Sequence, residues 1–185
     1  MSLSKEKIIK NAKKFNETAS KYGFINDELI NLLGQEFISA PACSTTNLYN
    51  AFEGGLVHHI LTTTKYAVSI NEMLPEEKQV KVESLIKVCF LHQIGKSKMF
   101  VEQKSQWHRD NKGEMFIFNN DLLSMTVSER SVYYALSSGV TLSEDEVFAM
   151  YNYNDDFSGR PMTTNGEKLA AILRVANQLA IIEEK

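Results

Sequence analysis

Two stretches decide how this chain reads: Glu53-Gly54-Gly55-Leu56-Val57-His58-His59 and Val88-Cys89-Phe90-Leu91-His92-Gln93-Ile94-Gly95-Lys96. In the first, a Gly-Gly turn opens an apolar run that recurs at helical spacing through about residue 73, with two histidines in its first turn. In the second, an apolar helical run carries a histidine at its end, and Gly95 breaks it. A histidine inside such an apolar run belongs to an interior, where imidazole is either a hydrogen-bonded core group or a metal ligand. By spacing alone the core reading is the commoner one.

Working outward, the periodicity predicts a helix over 4–22, capped by Ser4 and stopped by Gly23, with Ile8, Ile9, Ala12, Phe15 and Ala19 on its apolar side. Asn26 or Asp27 caps a second helix through Leu29, Leu32, Leu33 and Phe37. The small polar residues of 39–47 read as a loop. Pro75 suits a helix start, and a helix runs from there to about Gln93. Asp110-Asn111-Lys112-Gly113, followed by Met115 to Phe118, reads as a small β-hairpin or a loop-like excursion over 107–118. Helices follow over 128–138, over 143–153 behind the capping box of Ser143 and Glu146, and over 164–183. The loop between the last two, 154–161, holds Asp155, Asp156, Gly159 and Pro161. The expected fold is an all-α single domain over 1–185, with N-terminal helices 4–38 packed on a core of 54–183 and the hairpin as an insertion.

Composition narrows the function classes. With 185 residues, the chain can bury a core without disulfides or metals. Its net charge of −3 gives no support to a protein that grips a nucleic-acid backbone. No apolar run reaches the ~18 residues of a membrane span, and Met1 to Lys7 lack a signal-like apolar segment. Cys43 and Cys89 have no metal-type spacing, and Cys89 reads as a buried small hydrophobe. The expected setting is therefore cytoplasmic, without membrane partners.

The ordered series Ala40-Pro41-Ala42, Glu53 to His59, Leu91 to Lys96, Gln106-Trp107-His108-Arg109, Ser128-Glu129-Arg130-Ser131 and Ala176-Asn177-Gln178-Leu179-Ala180 resembles the HD-domain superfamily of metal-dependent phosphohydrolases. The resemblance covers about residues 36 to 183 and is closest to the small HD proteins of phages and bacteria. It implies an HD-like helical bundle, a host-cytoplasmic setting if phage-encoded, and a divalent metal, Mn or Mg, in active members. The metal is held there by a first His, a His-Asp pair and a late Asp. These positions fall here on His59, His92, Gln93 and Asn177. Two further family histidines fall on Val127 and Tyr153. Of the six, only His59 and His92 keep their residue type.

A carboxylate brings charge to a hard divalent ion, whereas an amide brings only a dipole. Gln93 and Asn177 thus remove two negative charges from the expected shell while keeping much of the shape. The expectation is a pseudoenzyme: a metal-free, hydrogen-bonded polar cluster in a catalytically impaired protein that binds a nucleotide, a phosphate ligand or a partner protein. Lys96, Arg130 and Glu129 stand where the resemblance implies phosphate contacts. The plain alternative is that Lys96 is a solvated helix-end residue and that Arg130 pairs with Glu129 or Glu167. Asp155, Asp156 and Glu53 are the candidate replacement carboxylates. His58 projects about a hundred degrees from His59 round the helix and makes a poor ligand. Trp107 either anchors the hairpin or stacks a base. The competing classes are an active metal-dependent phosphohydrolase with an atypical ligand set, and a structural or oligomerisation module. The resemblance also makes a homodimer possible.

Overall fold

The computed structural model describes residues 2–156 and 161–185. The part of the 154–161 loop that holds Gly159 lies outside the described residues. Among the described residues the chain is mostly helical, with one two-stranded antiparallel sheet. Helix α1 spans Lys5–Lys21, α2 Asp27–Leu33, α3 Glu36–Ser39, α4 Gly55–Met73, α5 Val82–Leu91, α6 Gln106–Lys112, α7 Val127–Ser137, α8 Glu144–Asn152 and α9 Asn165–Glu184. Strands β1, Phe100–Glu102, and β2, Phe116–Phe118, pair with Val101 opposite Ile117.

The long helices α4 and α9 pack against each other at the centre, with α5 and α8 beside them. Helices α1 to α3 close one side, where Phe15, Phe24 and Phe90 meet at ring-centroid distances of 4.7 Å (Phe15–Phe90) and 5.5 Å (Phe24–Phe90). Gly54, at φ 78°, starts α4 in the left-handed region, and a Cβ on Gly55 would stand 2.2 Å from the Asn50 carbonyl. Only a Gly-Gly pair lets the 40–53 loop approach the helix start this closely.

Three sequence expectations change. The second helix breaks at Gly34 into α2 and α3. Pro75 opens only a 3-10 turn, Glu76–Lys78, and α5 starts later, at Val82, and ends at Leu91 rather than Gln93. The hairpin expected over 107–118 is instead β1, α6 and β2: residues 106–112 are helical, and Gly113 at φ 64° ends that helix by accepting the left-handed turn. Trp107 therefore rides exposed on α6, with the Lys112 ammonium over its ring, and is no core anchor.

The 3-10 turn Ile94–Lys96 docks on the first turn of α7. Gly95 N–H donates to Ser131 Oγ at 2.9 Å, and that hydroxyl donates to the His92 carbonyl at 3.0 Å. A Cβ on Gly95 would meet the Val127 carbonyl at 2.7 Å and the Ser131 nitrogen at 2.8 Å, both backbone. We expect Gly95→Ala to lower the unfolding free energy by about 1–3 kcal/mol, the usual range for overpacking, as read from urea denaturation midpoints. An unchanged midpoint would show that α7 is free to shift away from this turn.

Candidate functional site

Helix α4 presents His59, the end of α5 presents His92 and Gln93, and α9 presents Asn177. His59 and His92 are fully buried, and Gln93 nearly so. The structure brings the four together. His59 Nε2 lies 2.8 Å from Asn177 Oδ1, and Gln93 Nε2 donates to the same oxygen at 3.3 Å. His92 donates Nδ1–H to the Cys89 carbonyl at 2.8 Å, which leaves Nε2 as an acceptor. Among the described residues neither His92 Nε2 nor Gln93 Oε1 has a hydrogen-bond partner. The His92 pKa is pushed down to about 3, first by burial and then by neighbouring His59, so its ring is neutral in the fold.

Two members of the cluster escaped the sequence reading. Glu184 Oε2 sits 2.6 Å from His59 Nδ1, with both side chains almost wholly out of solvent. Asn177 and Glu184 are seven apart and so share one face of α9, a spacing that would have flagged Glu184 had the last helix been read for polar periodicity as well as apolar. Tyr49 comes from the 40–53 loop, and its ring lies 4.4 Å from that of His59. No periodicity marks a loop residue, so nothing in the sequence pointed to it. Tyr153, at the position of an expected histidine, stands edge-on to His92 at 5.2 Å. Gln93 lies against both phenols, whose pKa values burial raises.

His59 Nδ1 thus faces the Glu184 carboxylate, and its Nε2 faces the Asn177 amide oxygen that also accepts from Gln93 Nε2.

The remaining candidates are placed as follows. Lys96 is buried, not solvated: Nζ donates to the Ala42 carbonyl at 2.8 Å and to Tyr49 Oη at 3.2 Å. Burial lowers its pKa to about 8. Arg130 is buried too and donates through Nη2 to the Leu123 carbonyl at 2.5 Å. Glu129 is exposed and completes the N-terminal box of α7, accepting from the Thr126 N–H at 2.7 Å, a bond that lowers its pKa. Val127 opens α7. Asp155 and Asp156 are exposed and engage Arg174, and Glu53 is exposed as well. His58 faces away from the cluster toward Asn11, at 3.5 Å.

A divalent ion among these four residues would meet two imidazoles and two amides. The histidine orientation suits it, since each Nδ1–H is held by an oxygen and each Nε2 turns inward, as in metal-binding histidines. The charge does not suit it. Glu184, the carboxylate in contact with the cluster, lies behind His59, and among the described residues no three His, Cys, Asp or Glu side chains gather in a metal-holding group. The set therefore fits hard Mg²⁺ or Mn²⁺ poorly. Compared with known proteins, the chain matches no family model, no curated protein and no solved structure. Among the described residues no helix is long and apolar enough to cross a membrane.

Because His92 is held neutral, the unfolded chain takes up a proton near pH 6.5 that the folded chain refuses until about pH 3. Its contribution to stability is complete above about pH 6.5 and is lost as pH falls toward 3. We expect His92→Asn to flatten the acid side of the stability–pH curve between about pH 6.5 and 5, by up to one proton or about 1.4 kcal/mol per pH unit. Parallel curves for variant and parent, measured by urea denaturation, would mean that His92 titrates normally.

Proposed function

We propose that this protein is an HD-superfamily phosphohydrolase relative whose metal shell has lost its charge, and that it acts by binding a phosphate-bearing ligand or a partner protein rather than by metal-dependent hydrolysis. One observation carries the reading. Gln93 and Asn177, the two amides at positions where the resemblance implies aspartates, hydrogen-bond each other, and Asn177 reaches across to His59. Amides at these two positions satisfy neighbouring polar groups, which is the work of a structural cluster. A hydrolase of this type needs a tightly held cation to acidify water, and neutral donors give little of that activation.

Lys96 and Arg130 support the binding side of the reading. They are buried cations, Arg130 keeps its Nε without a partner among the described residues, and Lys96 has a third N–H beyond the two in use. An incoming phosphate would compete with the carbonyl groups they now serve.

A second reading, an active metal-dependent phosphohydrolase with an atypical ligand set, has one observation in its favour: the free Nε2 of His92 and the free Oε1 of Gln93. Elemental analysis of the purified protein separates the two. We expect less than stoichiometric metal, and a melting temperature raised by nucleotides or phosphate without added Mn²⁺ if the ligand is phosphate-bearing. One tightly bound metal per chain would overturn the binding reading. In the double variant Gln93→Asp, Asn177→Asp, Mn²⁺ affinity should rise at least about tenfold, or about 1.4 kcal/mol. An unchanged affinity, measured by calorimetric titration, would count against a preserved metal-shaped pocket.

A further inference from the structure

The two edges of the small sheet differ. The Asn119 N–H donates to the Met99 carbonyl at 2.8 Å, and the Gln103 N–H donates to the Met115 carbonyl at 3.0 Å. With Val101 opposite Ile117 between them, residues 99, 101 and 103 are the ones bonded to the second strand. By the same alternation Phe100 and Glu102 turn their N–H and C=O groups to the outer side of β1, and among the described residues no hydrogen bond reaches them there. The outer side of β2 is covered instead: the Phe116 N–H donates to the Ser44 carbonyl at 3.0 Å, and Thr45 bridges Glu114. The faces differ too. Glu102 and Phe116 line a cavity with Ser39 and Glu53, which turns their face of the sheet toward the rest of the protein. Val101 and Ile117 lie side by side on the other face, 42% and 40% exposed.

We infer that the open edge of β1 pairs with the β1 of a second copy of this chain, antiparallel about a twofold axis at Val101. In this register Phe100 of each copy faces Glu102 of the other, and the facing residues exchange N–H to C=O bonds, so every outward group of both copies is met. Sliding two residues one way runs the edge into the turn at 97–99. Sliding two the other way sets Glu102 directly against Glu102 of the second copy, like charge on like charge. At the Val101 register each Glu102 faces a phenylalanine, and Arg109 Nη1, 3.1 Å from its Oε1, keeps the charge paired at home.

The pairing also extends the exposed apolar row. Ile117 and Val101 of one copy continue into Val101 and Ile117 of the other, one cross-strand ladder over the joined sheet. The edge is thus its own complement in backbone groups, in apolar contact and in the placing of its charge, which selects a second copy over an unrelated extended segment. The covered edge of β2 stops the assembly at two copies. The surface rests on the sheet alone and is independent of the family reading.

Sedimentation velocity of the full chain, from about 10 μM to about 1 mM, reads the self-association. We expect a reversible monomer–dimer equilibrium, weakened at least about tenfold in Glu102→Pro, which deletes an outward N–H that no internal bond uses. A second variant does not depend on proline being tolerated. The pairing makes Val101 and its copy a non-hydrogen-bonded pair with Cα atoms about 4.5 Å apart, within disulfide range. Under oxidised glutathione Val101→Cys should therefore cross-link two chains at least about tenfold faster than Glu102→Cys, whose thiol faces Phe100 of the other copy. A chain that stays monomeric through about 1 mM, self-association untouched by Glu102→Pro, or equal cross-linking of the two cysteine variants overturns the inference.

Discussion

A histidine with no exposed surface has two ring nitrogens to satisfy, and His59 satisfies both with residues from the far end of the chain. Asn177 lies 118 residues away and Glu184 lies 125 away. An unmet buried polar group costs about 1–3 kcal/mol, so these bonds set both the register and the rotation of α9 against α4. Both helices also bury apolar side chains, yet apolar contacts tolerate sliding and repacking. The imidazole does not, because its acceptors must lie in its ring plane at fixed points. The α5 and α7 ends then organise around the same centre, through Gln93 to Asn177 and through Ser131 between the His92 carbonyl and Gly95.

The same logic explains why the other buried charges sit quietly. Lys96 and Arg130 both turn their donors onto backbone carbonyls of irregular segments, Ala42 and Leu123. Each thus tethers a loop to the core while meeting its own need for acceptors. The price is seen in Lys96, whose charged form burial disfavours. The centre of the protein is therefore a hydrogen-bonded network in which single atoms serve more than one partner, as Asn177 Oδ1 does for His59 and Gln93. Among the described residues a few buried acceptors stay unmatched, at His92 Nε2, Gln93 Oε1 and Glu184 Oε1.

Much of this was legible in one dimension. The 3.6-residue recurrence of apolar side chains located α1, α4, α7 and α9, and the Ser143–Glu146 capping box marked the start of α8. Cys89 read as core and is fully buried. His59, His92, Gln93 and Asn177 were picked out by resemblance and do meet in space. The misreading at 107–118 has a specific cause. A glycine in the left-handed region serves a tight hairpin turn and a helix C-terminus equally well. Asp110-Asn111-Lys112-Gly113 carries that signal without saying which partner uses it. The choice fell to the pairing of β1 with β2, whose register sets Glu102 opposite Phe116 and leaves residues 103–115, too many for a two-residue turn, to connect them through α6.

Local information thus reached the elements, their caps and the identity of four central side chains, since propensity, periodicity and capping depend on residues within a turn or two of one another. It did not reach Glu184 or Tyr49, nor the burial of Lys96 and Arg130. Those depend on which distant segment comes to lie alongside, and that is decided only when α9 packs on α4 and the 40–53 loop closes over the helix start. A hydrogen bond between residues more than a hundred positions apart leaves no periodic trace in either partner's neighbourhood; only the packed chain brings its two halves together.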